Sequence, residues 1–131
     1  MSQEKTVTYG KLVRDRIPEI IEAAGRTARV RVLAEAELIP ALTAKLAEEA
    51  EELRRAEPDD RLGELADVYE VLAALAGTLG FSEEQVREAA RHKRAERGGF
   101  DRRLWLDEVT ASGLRHGARL GVSAPGRPDD R

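Results

Sequence analysis

Between Leu62 and Leu79 the chain carries only three charged residues, Glu64, Asp67 and Glu70, set among Leu, Val, Ala and Tyr on nearly every side. Pro58, Asp59 and Asp60 before this run, and Gly80 after it, are helix start and stop signals. A helix of about five turns that is apolar all round must be covered by other helices. We therefore expect an all-α fold in which this helix is the central, most buried one.

The segment before it reads as a second long helix, from about Glu35 to Ala56. At about 100° per residue, its apolar stripe runs through Leu42, Leu46 and Leu53, and Glu49 falls inside that stripe. Glu52 and Lys45 lie about 60–80° to one side by the same arithmetic, Glu48 lies further round, and Glu51 points nearly opposite, toward solvent. A carboxylate facing a core loses its hydration and is costly unless a cation or a hydrogen bond compensates. Glu64 and Asp67, three residues apart, share one face of the apolar helix, as Glu49 and Glu52 do on the first. With a short connection between the helices, the four acids can meet around one or two divalent ions. The competing reading is a solvated charge run at Glu48 to Glu52, with Asp67 in a salt bridge to an arginine.

The rest of the chain adds smaller elements. Asp15 reads as the N-cap of a helix of two to three turns through Ile17, Ile20 and Ile21, with Pro18 in its first turn and Gly25 ending it. Ser82 followed by Gln85 opens a third long helix that runs to about Arg97. The stretch from Thr27 to Leu33 has the β-branched, partly alternating pattern of a short strand. Its expected partner is Arg102 to Leu106, giving a small two-strand β pair beside the helices. The chain of 131 residues holds about one domain's worth of material, expected at 1–109. Residues 110–131, rich in Gly, Ser, Pro and Arg, are expected to form a flexible tail.

There is no cysteine, so a thiolate metal site is excluded and any ion must be held by oxygen or by the two histidines. That favours Mg²⁺, with Mn²⁺ as the alternative. His92 and His116 read as surface histidines. The net charge of -3, from 25 acidic and 22 basic residues, lacks the basic excess of a nucleic-acid surface. No stretch reaches the ~20 apolar residues that span a bilayer, and the polar start of the chain lacks a secretory segment. We expect a cytoplasmic protein with neither nucleic acid nor membrane as partner.

Glu48-Glu49-Ala50-Glu51-Glu52, followed by Glu64-Leu65-Ala66-Asp67, resembles the ExxE and ExxD signature of the MazG-like all-α nucleoside triphosphate pyrophosphohydrolases. Tyr9 to Pro18 and Lys93 to Phe100 are similar to the small stand-alone branch described as phosphoribosyl-ATP pyrophosphohydrolase-like, or house-cleaning. This resemblance implies an antiparallel helical bundle with one short and three longer helices. It implies Mg²⁺-dependent cleavage between the α- and β-phosphates of a nucleotide, releasing monophosphate and pyrophosphate. Glu49, Glu52, Glu64 and Asp67 would hold the metal, and Glu48 would orient or deprotonate the attacking water beside Glu49. Lys11, Arg14, Arg16, Lys45, Lys93 and Arg97 are the candidate substrate contacts, although basic clusters at helix ends are also ordinary surface features. The alternatives are a phosphoribosyl-ATP pyrophosphohydrolase of histidine biosynthesis and a non-catalytic nucleotide-binding or dimerisation module. A homodimer or higher homo-oligomer is expected, because three long helices are few for enclosing the apolar one.

Overall fold

The computed structural model describes residues 4–111. The expected tail at 110–131 lies outside them from Ser112 onward, as does His116. The described chain is all-helical: α1 (Ile17–Ala23), α2 (Glu35–Arg55), a single 3₁₀ turn (Pro58–Asp60), α3 (Arg61–Thr78) and α4 (Glu83–Arg97). It folds as two compact units, the first ending at Glu83 and the second beginning at Glu84.

In the first unit α2 and α3 pack along one another. Leu42, Val71 and Leu75 form the core, with Leu12, Leu38 and Leu46 packed against it. Leu42 is early in α2 and its partners are late in α3, so the two helices run antiparallel, as their short connection requires. Glu37 secures the start of α2, where its carboxylate accepts the Ala34 N–H at 2.9 Å. Gly80, at φ +89°, lets the chain leave α3, and the Phe81 N–H donates back to the Ala76 carbonyl at 2.8 Å.

Three expectations are corrected. First, α3 is not covered all round. It buries Val71, Leu75 and Ala76, while Leu62, Leu65, Tyr69 and Leu72 stay exposed, because α2 is its one long neighbour within the first unit. Second, neither 27–33 nor 102–106 is a strand. Val32 is 94% exposed, and Arg103, at φ +57°, breaks the extended run with its N–H turned back to the Phe100 carbonyl at 3.1 Å. A pattern of β-branched residues makes a strand only when a ladder partner satisfies its backbone. Third, Arg16 rather than Asp15 occupies the N-cap of α1, with no side-chain cap bond. Asp60 does open α3 from its N-cap, as expected, although its carboxylate makes no cap bond and the preceding 3₁₀ turn is closed by backbone.

The last helix, α4, starts directly after Ser82, where the capping-box pattern puts its first turn, and all but its first residue belongs to the second unit. Two of its surface acids are matched to arginines: Glu84 pairs with Arg87 at 2.9 Å and with Arg91 at 3.2 Å, and Arg91 also bonds Glu88.

Candidate metal centre

Seven residues, about two turns, beyond Leu42, the inner stripe of α2 reaches Glu49. It is the buried charged residue among the described residues, 7% exposed. The antiparallel register that sets Leu42 against Val71 and Leu75 sets Glu49 against the first turns of α3. There Glu49, Glu64 and Asp67 each bring one carboxylate oxygen to within 4.8 Å of the others. Two ligands on opposite sides of Mg²⁺, each 2.0–2.1 Å from it, are about 4.2 Å apart. Neighbouring ligands of an octahedral ion are only about 3 Å apart, so the three oxygens would have to draw closer together to share one ion.

Two of the carboxylate oxygens, Glu49 Oε1 and Glu64 Oε1, are buried without a hydrogen-bond partner. Such groups are rare in folded proteins, and an absent cation is one standard reason for them. Loss of water holds the Glu64 carboxyl above the ordinary carboxylate range, and the negative charges of Glu52, Asp67, Glu49 and Asp60 push the same way. Glu52 is thus electrically part of the site, although it lies outside the tight trio.

Three cations offset part of this charge. Lys45, one turn before Glu49 on α2, reaches Glu49 Oε2 at 3.2 Å and Glu48 Oε1 at 3.5 Å. Lys11 donates to Glu48 Oε2 at 3.0 Å, and Arg14 Nη2 donates to Asp67 Oδ1 at 2.7 Å. The Lys11 hydrogen bond, aided by Lys45, holds the Glu48 carboxyl below its ordinary range, and reciprocally raises the Lys11 ammonium.

The structure thus gathers Lys11, Arg14, Lys45, Glu48, Glu49, Glu64 and Asp67 at one end of the α2–α3 pair. Arg16 is not gathered with them; it pairs with Glu19 at 2.7 Å on the outer side of α1. Lys93 and Arg97 are exposed, four residues apart on α4 in the second unit. Arg14 gives Asp67 the arginine partner that the competing reading expected, whereas the Lys11 bridge to Glu48 was not expected. The two bridges join residues 37 and 53 positions apart, and no local pattern encodes such a contact. The donor set is all oxygen with two open buried positions, which fits a hard divalent cation.

No model of a known protein family matches the chain, and no solved structure matches it. A curated protein of Mycolicibacterium smegmatis, described only as uncharacterized, is 56% identical over 50 residues. The aligned stretch is 38% of this chain and 51% of that protein, so the chain spans about half the length of the curated relative it matches.

Proposed function

We propose that the protein is a Mg²⁺-dependent nucleotide pyrophosphohydrolase, cleaving between the α- and β-phosphates to give nucleoside monophosphate and pyrophosphate. The observation that carries this reading is the convergence of Glu49, Glu64 and Asp67 with two buried oxygens left without partners. Mg²⁺ sites of this kind complete their shell with water and substrate phosphates, which suits a phosphate-rich substrate.

In this reading Glu49, Glu64 and Asp67 hold the ion and Glu52 supports them from outside the trio. The metal would polarise the phosphoryl oxygens and offset charge on the departing pyrophosphate. Lys45 pairs with Glu49 Oε2 from one turn away and holds that side chain in place. Glu48, bonded to two lysines and with a depressed pKa, is poorly suited to take a proton from water and better suited to orient one. Mn²⁺ would serve as a substitute ion, and surplus or non-canonical nucleoside triphosphates are the proposed substrates. A homodimer accords with the exposed Leu62, Leu65, Tyr69 and Leu72 on α3. A cytoplasmic setting, where Mg-nucleotides abound, is part of the same proposal.

The test is pyrophosphate release from a panel of canonical, deoxy and modified nucleoside triphosphates, with Mg²⁺ present or chelated. Metal-dependent release of equal amounts of monophosphate and pyrophosphate supports the reading. Stabilisation by Mg-nucleotide without release would indicate a binding module, and the absence of both effects would refute nucleoside triphosphates as substrates and favour phosphoribosyl-ATP.

A further inference from the structure

The acidic end of α2 and α3 is not open. Arg14, on the segment before α1, donates to Asp67 Oδ1, one of the three carboxylates placed to share a cation. Lys11, three residues earlier, holds Glu48, and its ammonium also lies 5.7 Å from the centre of the Tyr9 ring. Lys45 holds Glu49. These three internal cations differ in how readily they can leave. Lys45 is 14% exposed and grows from the same helix as Glu49, so it is fixed beside its partner. Arg14 is 54% exposed, and its guanidinium crosses to a carboxylate 53 residues away. Its backbone is held by the Ile17 N–H, which donates to the Arg14 carbonyl at 3.1 Å, and Leu12 just before it packs against the core.

We propose that Arg14 is a displaceable counter-cation, and that the Lys11 and Arg14 side chains, either side of the packed Leu12, form a strap whose Arg14 end a divalent ion must release to occupy the Glu49, Glu64 and Asp67 site. The inference rests on the metal-site reading above. A guanidinium 2.7 Å from Asp67 Oδ1 occupies one of that carboxylate's ligand directions. An ion taken on the remaining oxygen would still lie a few ångströms from a like charge, in a site partly shielded from water. Metal and Arg14 therefore compete for Asp67, and each weakens the other's hold. The observed affinity for metal is then the intrinsic affinity scaled by the fraction of molecules whose strap is already open. Lys11 adds to the strap by anchoring it on Glu48, next to the trio but outside it.

The experiment measures Mn²⁺ affinity for the full chain and for Arg14→Gln, with Arg31→Gln as the control. Arg31 pairs with Glu37 at the other end of α2, and its substitution removes the same charge without touching Asp67. In the unsubstituted chain, ¹⁵N side-chain spectra follow the Arg14 guanidinium during Mg²⁺ titration, with its signal assigned by its loss in Arg14→Gln. The expected result is about tenfold tighter Mn²⁺ binding in Arg14→Gln, as when a closed fraction of about nine-tenths is removed. Arg31→Gln should stay within about twofold, and the Arg14 side-chain protons should go over to fast exchange with solvent as Mg²⁺ saturates. Equal or weaker binding in Arg14→Gln, with clear binding in the unsubstituted chain, would overturn the strap and leave the metal site standing. Absence of binding in every form would overturn the metal site and the strap together.

Discussion

Two helices of this protein are rich in glutamate and arginine and use them differently. On α4, Glu84 and Glu88 face outward and are matched one turn away by Arg87 and Arg91. The outer side of α2 behaves the same way, with Glu51 bonded to Arg54 and Arg55. The inner side of α2 does not: Glu49 lies in line with Leu42, buried, with one oxygen bonded to Lys45 and the other to nothing. A glutamate count would not separate these three groups. What separates them is the angle of each residue to the apolar stripe, because burial converts a cheap surface charge into one that needs a cation.

Substitutions that trade an inner acid for an outer one put this contrast to its strongest test. Glu49→Gln should lower metal-dependent pyrophosphate release about 10²–10³-fold, the usual scale for losing one stabiliser of transition-state charge. Glu88→Gln on α4 should leave it within about twofold. Similar losses in both would erase the distinction between the helices.

The apolar part of the same stripe should dominate stability. Leu42→Ala, at a site 5% exposed, is expected to cost about 2–4 kcal/mol in denaturant unfolding. A change under about 1 kcal/mol would mean that the α2–α3 core is not the main source of stability. By contrast, Arg91→Ala removes two exposed pairings and should cost about 0.5 kcal/mol or less.

The smallest effect concerns acid. The Ala34 N–H and then Arg31 hold the Glu37 carboxyl below its ordinary value of 4.5. A carboxyl depressed in the folded state contributes stability above its unfolded pKa, and that contribution fades as pH falls through its folded pKa. Stability measured downward from pH 5 should therefore fall less steeply in Glu37→Gln than in the unsubstituted chain. An identical slope would show that this cap does not contribute.

Much of the architecture was legible because helices announce themselves locally. The periodic run from Glu35, broken by Pro58, yields α2 over Glu35–Arg55, and Gly80 ends the next helix where a positive φ is needed. Glu49 was legible for the same reason, since its angle to Leu42 is set by helix geometry alone. The paired segments 27–33 and 102–106 misled because a strand is defined by its partner, and Val30 and Val32 carry the composition of a strand without one. Nor did the apolar character of α3 reveal how much of it one chain covers. The attachment of Lys11 and Arg14 to acids on α2 and α3 follows from tertiary folding and is silent in the local pattern.

The most direct test of the central claim is the anomalous scattering of Mn²⁺ in crystals grown with that ion. The account predicts a peak bounded by carboxylate oxygens of Glu49, Glu64 and Asp67. A well-ordered site at those residues with no peak, or Mn²⁺ bound only at the surface acids of α4, would contradict it.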